Sequence, residues 1–524
     1  MTFTVPDVRV GDVIRRHAAQ RPEAVALRQG EQALSYGALD ERSNRLAQAL
    51  LARGVRAGTR VAYLDRSSPE VIELLFAASK VGAVLVPLNW RLAPAELAAV
   101  LADAQAPVLI AGPDYCEIAA DALQRLSPGP GLVVVGEEYE RWLAPHEPRD
   151  PGGRGEPGDV IVQMYTSGTT GVPKGVLTTH GNLAVTAQTS LRWAFDERSV
   201  SLTPLPMFHI GGIGWAYCGL WHGATTVLVR DFEPTAVLDV LERRRVTNAV
   251  LVPTMLQMLT AVPGAADRDY SALRSIAYGA APITTPVLKA TLRTFGCGLV
   301  GLYGLTESTG GVVALEPEDH DPGGPREYLL RSAGRPYPWV ELQIADPASG
   351  DPLGPQQVGE VWLRGPNVTP GYFNRAAETA AALTEGGWLR TGDGGYVDDD
   401  GYLFLTDRIK DMIVTGGENV YPVEVEEALA QHSDVAEVAV IGVPHPHWGE
   451  AVKALIVPRP GARTRPDDLI AFARARLAGY KLPRTVDFVT DLPRTPSGKV
   501  LKRELRERYG PSSYPPTSGH GLIN

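Results

Sequence analysis

Through about Val340, helical segments such as Tyr36 to Gly54 alternate with short aliphatic runs such as Arg60 to Leu64 and Gly82 to Leu88, each closed by Gly or Pro. Runs that short and that apolar on both faces fit strands buried in a parallel sheet, and a parallel sheet needs helices as its crossovers. The pattern therefore predicts an α/β fold. Pro145 to Gly158 reads as an exposed connector, after which the apolar strand Asp159 to Tyr165 enters a glycine-rich turn. Beyond Val340, Gly359 to Gly365 and Gly395 to Leu405 give a β-rich meander in which Asp398, Asp399, Asp400 and Gly401 form a solvent-facing turn, not a carboxylate cluster. After Asp407 to Val414 the texture becomes a small α+β unit: a helix over Glu424 to Val435, strands over Glu437 to Val443 and Val452 to Pro458, and a helix over Asp467 to Leu477. The expected division is a large multi-subdomain α/β domain with a β-rich portion over 1–406, a hinge at 407–410, a small lid domain over 411–509 and a flexible tail over 510–524.

A chain of 524 residues is too long for one core, and 44% hydrophobic with 21% charged residues is a globular composition, not a disordered one. A net charge of -10 disfavours non-specific nucleic-acid binding but allows a local cationic pocket, so small molecules are the expected partners. Cys116, Cys218 and Cys297 lie far apart, with neither a paired framework nor metal-ligand spacing, which fits a reducing cytoplasmic setting. Asp7 and Asp12 interrupt the N-terminus where a signal peptide needs an apolar stretch, and no later run is long enough to span a membrane. His445 and His447 flank Pro446 without a nearby third ligand, so they read as surface residues, not a metal site.

The string from Tyr165 to Gly175, YTSGTTGVPKG, sets a glycine- and hydroxyl-rich turn and one lysine directly after a buried strand. Gly168 and Gly171 allow the backbone to turn N–H groups toward an anion, Thr166, Ser167, Thr169 and Thr170 add neutral donors, and Lys174 adds charge, so the segment reads as a phosphate loop. It is not a Walker loop, because Pro173 stands where that pattern needs Gly-Lys-Ser/Thr. The segment Gly296 to Gly301, GCGLVG, matches a dinucleotide fingerprint, but a helical stretch precedes it and a strand completes it, the reverse of the required order.

With this loop, LPMFH at Leu205 to His209, YGLTE at Tyr303 to Glu307, LRTGD at Leu389 to Asp393, DRIKDMIVTGGENVYPVEVE at Asp407 to Glu426 and PRTPSGK ending at Lys499 follow one another over nearly the whole chain. In that order they resemble the adenylate-forming (ANL) superfamily of acyl-CoA synthetases, aryl-CoA ligases, firefly luciferase and peptide-synthetase adenylation domains. The resemblance is nearest to fatty acyl-CoA and 4-coumarate-type ligases. It implies the ANL fold with a C-terminal domain that rotates between two half-reactions, and it implies ATP, Mg²⁺ and coenzyme A as the small molecules used. Family members are often monomers or homodimers.

The chemistry gives each motif a task. A carboxylate attacking the α-phosphate of ATP brings two anions together, so the site needs positive charge and oriented donors. The resemblance implies that Lys499 bridges the carboxylate and the α-phosphate, while Glu307 and Thr166 hold the metal through hard oxygen donors. It assigns Asp393 and Arg408 to the ribose, Gly279, Ala280, Ala281 and Pro282 with Tyr303 to the adenine pocket, and Gly304 and Thr306 to the same nucleotide site. Lys410 stands at the family's hinge, where many members carry aspartate, and Gly416, Gly417 and Glu418 are expected along the coenzyme A channel.

His209 is expected beside the substrate carboxylate, with Ile210, Gly211, Ile213, Gly214 and Trp215 forming an acyl pocket. The stretch Leu205 to Gly223 contains no Asp or Glu to pair with an α-ammonium, which speaks against an amino-acid substrate and for a fatty, aryl or polycyclic acid. Two rivals remain: an adenylating enzyme that loads a carrier protein, and a silent acyl- or nucleotide-binding protein, the latter disfavoured by the joint presence of Lys499 and Glu307.

Overall fold

The computed structural model describes residues 5–153, 155–166, 173–281, 283–408, 411, 413–415, 418–445, 448–477, 479–494 and 500–510. Among them, four sheets carry the architecture. A six-stranded sheet runs Gly131–Val134, Val108–Ala111, Arg60–Leu64, Val84–Pro87, Val160–Thr166, Lys174–Thr179, parallel until its last member. A nine-stranded sheet has a parallel centre, with Val200–Thr203, Asn248–Leu251, Ser275–Gly279 and Gly298–Leu305 among its strands, and antiparallel strands at both edges. The α/β expectation is met in both.

The helix Pro69–Val81 shows why the two sheets belong to one body. Val71, Ile72, Leu74, Leu75, Phe76, Ala77 and Ala78 are all fully buried, and a helix apolar around its girth must lie between layers. Each large side chain contributes roughly 1.5–3 kcal/mol by burial. The same helix buries Lys80, whose ammonium donates to Asp40 Oδ1 at 2.6 Å, Ser43 Oγ at 2.7 Å and Asn44 Oδ1 at 2.6 Å, so the charge is paired and its protons are satisfied. One continuous core takes residues from this helix, from both sheets and from the helix Ile210–Trp221.

Glu341–Ala345, Gly359–Arg364, Leu389–Val397 and Leu403–Arg408 form the antiparallel meander. Its last hairpin turns at Asp398 to Gly401, where the Asp398 carboxylate accepts the N–H groups of Asp400 and Tyr402 and Gly401 has φ +81°. This is the turn read from the sequence. Helix Thr285–Phe295 leads into strand Gly298–Leu305, so GCGLVG lies on the wrong side of its helix for a dinucleotide loop.

The C-terminal unit is built on the long hairpin Val435–His445 and Gly449–Pro458, with Thr485–Phe488 added in parallel and helices Pro422–Ala430 and Pro466–Arg474 beside it. The first helix begins two residues before the expected start and ends at Ala430, short of the expected Val435. The Asp434 N–H donates to His432 Nδ1 in a turn, and Val435 is claimed by the strand ladder opposite Pro458. This unit meets the larger body where Thr285 Oγ1 donates to Glu427 Oε1 at 2.8 Å and Gln257 Nε2 to the Ala436 carbonyl at 3.4 Å. No helix among the described residues is long and apolar enough to cross a membrane.

Candidate active site

Strands Val160–Thr166 and Lys174–Thr179 are antiparallel neighbours, with Thr166 opposite Lys174. The connection between them, which holds the glycine-threonine segment, is too short for a parallel return. Ser167, Gly168, Thr169, Thr170 and Gly171 lie outside the described residues. The base of the hairpin is braced: Tyr165 OH donates to Asp103 Oδ2 at 2.7 Å, Gln163 Nε2 donates to Tyr165 OH at 2.9 Å, and Asp103 also pairs with Arg375.

Residues 371–373 run along the free edge of strand Lys174–Thr179, with the Leu177 N–H donating to Gly371 O and the Phe373 N–H to Gly175 O. That backbone pairing carries Tyr372 between two expected site residues. Its ring lies 5.3 Å from the Lys174 ammonium, and its hydroxyl donates to Glu307 Oε1 at 2.9 Å. Glu307 sits on the short turn Thr306–Ser308, held by Ser308 Oγ accepting the Leu305 N–H and by the Thr369 N–H donating to the Glu307 carbonyl. The turn packs against strand Lys174–Thr179, so Thr166, Lys174, Thr306 and Glu307 share one corner of the molecule.

The expected nucleotide residues gather at the carboxyl ends of two adjacent parallel strands, where open α/β sheets bind ligands. Gly279 pairs with Leu302, and a Cβ on it would stand 2.3 Å from the Leu302 carbonyl oxygen, so the close approach requires glycine. Ala280 has φ +66°, unusual for a residue with a side chain, and Ala281 follows; Pro282 lies outside the described residues. Next to them Tyr303 OH donates to Asp393 Oδ2 at 2.9 Å, tying the expected base-stacking ring to the expected ribose carboxylate. Gly304 packs so closely on the turn that a Cβ would stand 1.8 Å from the Gly310 carbonyl oxygen. Asp393 and Arg408 are cross-strand partners in the meander, which places the Arg408 backbone beside Asp393; its side chain lies outside what is described.

His209 ends the loop after strand Val200–Thr203 and caps helix Ile210–Trp221, its carbonyl accepting the Gly212 and Ile213 N–H groups. Its buried Nε2 has no hydrogen-bond partner among the described residues. Burial, assisted by the nearby Arg91 cation, pushes its pKa down to about 4, so it is neutral at physiological pH. Ile210 and Gly214 lie one turn apart on one face, and a Cβ on Gly310 would come within 3.7 Å of Ile210 Cγ1, so this face looks at the turn that carries Glu307. At the same end of the helix Gly211 packs on Leu205, where a Cβ would stand 3.1 Å from Leu205 Cδ1. Ile213 and Trp215 are in the core, Trp215 stacked on Trp193 at 5.4 Å with Phe195 against it at 5.1 Å.

Lys499, Lys410, Gly416 and Gly417 lie outside the described residues, and Glu418 is described only in its backbone, as the first residue of strand Glu418–Val420. Tyr372 and Asp103 were not found from the sequence, because their roles come from a strand-edge pairing and a contact across the sheet that leave no spacing signal.

Residues 14–373 match the family model described as AMP-binding enzyme, and residues 424–499 the one described as AMP-binding enzyme C-terminal domain. Among curated relatives, a feruloyl-CoA synthase from Amycolatopsis sp is 44% identical over 506 residues, covering 94% of this chain and 98% of that protein. A fatty acid--[acyl-carrier-protein] ligase, ScoC, from Streptomyces coeruleorubidus is 40% identical over 504 residues, covering 94% and 95%. Among solved structures, ATP-bound MatB from Rhodopseudomonas palustris superposes with a TM-score of 0.88 at 30% identity, covering 96% of this chain and 99% of that one. The chain belongs to the AMP-binding enzyme family and is an adenylate-forming ligase of the acyl-CoA synthetase type.

A pH dependence follows from the buried imidazoles. His180, whose Nδ1 accepts the Val10 N–H, is pushed by burial from 6.5 to about 4, as is His209. Between those values the unfolded chain binds protons that the native chain does not, so stability is full above pH 6.5 and is lost as pH falls toward 4. The loss from His180 alone is about 3 kcal/mol. Urea titrations at pH 7.5 and 4.5 are expected to show a clear fall in midpoint, and a His180→Phe variant a smaller one; identical midpoints for the wild type at both pH values would rule this out.

Proposed function

We propose that this enzyme activates a hydrophobic carboxylic acid (fatty, aryl or polycyclic) with ATP to an acyl-adenylate, releasing pyrophosphate, and then transfers the acyl group to coenzyme A. The observation that carries this is the placement of the carboxylate-free face Ile210 to Gly214 against the turn bearing Glu307, with the Tyr303–Asp393 pair on the neighbouring strand end. An apolar acid enters beside His209 with its carboxylate toward the nucleotide corner. The neutral imidazole can donate to that carboxylate without neutralising it, so the acid stays nucleophilic.

The residues fit a magnesium ion. Glu307 offers Oε2, which accepts no hydrogen bond among the described residues, and Thr166 offers a hydroxyl, both hard donors. When bound, the ion lowers the charge repulsion at the phosphates. The remaining work belongs to the chain: Lys174 attracts the phosphates, Tyr303 and Asp393 hold the nucleoside, and Lys499 neutralises the meeting of carboxylate and α-phosphate. The three free cysteines support a reducing, cytoplasmic setting for a monomer or homodimer.

The acceptor has two supported readings. Coenzyme A is favoured by the GGENVYP form of Gly416 to Pro422 and by the relative named feruloyl-CoA synthase, a carrier protein by the similarity to ScoC. Pyrophosphate release and thioester formation over a panel of fatty, aryl and polycyclic acids decide between them. Thioester formed only with coenzyme A is expected. Turnover indifferent to coenzyme A but stimulated by an acylatable carrier protein would support the second reading, and no pyrophosphate with any acid would sink both.

A further inference from the structure

We propose that Tyr372 is a positioning residue that fixes the Glu307 carboxylate against the phosphate hairpin and so sets the affinity of the site for its divalent cation. The inference rests on the reading of Glu307 as a metal ligand.

Four contacts place Tyr372 there. Its backbone bridges to Val176, and its N–H donates to Thr379 Oγ1 at 3.0 Å, so the residue is anchored whatever its side chain does. Its hydroxyl donates to Glu307 Oε1 at 2.9 Å, and Oε2 accepts no hydrogen bond among the described residues. Its ring face receives the Lys174 ammonium at 5.3 Å. A carboxylate on a short turn can rotate about its side-chain torsions, and a hydroxyl bound to one oxygen selects one orientation and leaves the other oxygen free. The ring on the same side chain keeps Lys174 from closing onto Glu307 as an ion pair. Such a pair would neutralise both groups and cost the site its cation ligand and its phosphate-attracting charge together. One side chain thus holds apart two opposite charges that the reaction needs separately.

The test uses the full-length protein with Tyr372→Phe, Tyr372→Leu and Glu307→Gln. Four quantities are read: the Mg²⁺ concentration that half-saturates pyrophosphate release, calorimetric binding of Mg²⁺ to enzyme saturated with α,β-methylene-ATP, binding of that analogue in EDTA, and the melting temperature. Tyr372→Phe loses the hydroxyl and keeps the ring, so its Mg²⁺ requirement rises roughly tenfold in both metal readouts, while metal-free analogue binding and melting temperature stay at wild-type values. Tyr372→Leu also loses the ring and weakens metal-free binding a few-fold. If Glu307→Gln raises the Mg²⁺ requirement and Tyr372→Phe does not, the positioning role is overturned and Glu307 stands. If Glu307→Gln leaves the requirement unchanged, the ligand reading falls, and the proposal with it. Equal loss of metal-bearing and metal-free binding in Tyr372→Phe would mark a general disturbance and also overturn the proposal.

Discussion

Lys499→Ala is expected to cut pyrophosphate release from acid and ATP by about two to three orders of magnitude while leaving thioester formation from supplied acyl-adenylate near wild type. The direction follows from charge: two anions must come into contact in the first half-reaction, and removing a preorganised cation aimed at developing charge typically costs about 10²–10³ in rate. In the second half-reaction the acyl-adenylate is already made and a thiol attacks its carbonyl, so that lysine has no repulsion to relieve. Bulky replacements at Gly416 or Gly417 are expected to do the reverse, blocking the path of the thiol and sparing adenylation. Separate assays of the two half-reactions on both classes of variant check this. Equal loss of both steps in both classes would refute the division of labour.

Asp393→Ala is expected to lower kcat/KM for ATP about a hundredfold. A carboxylate that accepts two ribose hydroxyls makes charge-assisted bonds of about 1.5–3 kcal/mol each, and part of that is recovered by water in the variant. The loss has a second component, because Tyr303 OH donates to Asp393 Oδ2 and would be left to reorient beside the base. The diagnostic measurement is discrimination against 2′-deoxy-ATP and 3′-deoxy-ATP. Wild-type enzyme should penalise both, whereas the variant should treat them like ATP. A variant that still discriminates as well as wild type would remove Asp393 from the ribose.

Both predictions rest on residues that stand in short local motifs. A glycine with no room for a Cβ, such as Gly279 against Leu302, leaves its mark on the chain as a residue type at a fixed place. The strands Arg60–Leu64 and Val160–Thr166 were legible because buried parallel strands are continuous aliphatic runs. The end of the Pro422 helix was not, because His432 and Val435 follow a helical pattern until the partner strand at Pro458 competes for Val435. Trp215 illustrates the same limit, since an apolar residue beside a ligand pocket and one in the core look alike until Trp193 and Phe195 are brought to it.

The residues alone determined the α/β class, because buried parallel strands are continuous aliphatic runs, and the family, because its motifs are short strings that stand in one order along the chain. Tertiary structure alone decided that strands Val160–Thr166 and Lys174–Thr179 pair antiparallel, that Ile210 and Gly214 face the Glu307 turn, and that Tyr372 stands between Lys174 and Glu307. Those juxtapositions join segments up to about two hundred residues apart in the chain. Contacts of that range are set by how sheets and edges pack, which no local spacing encodes.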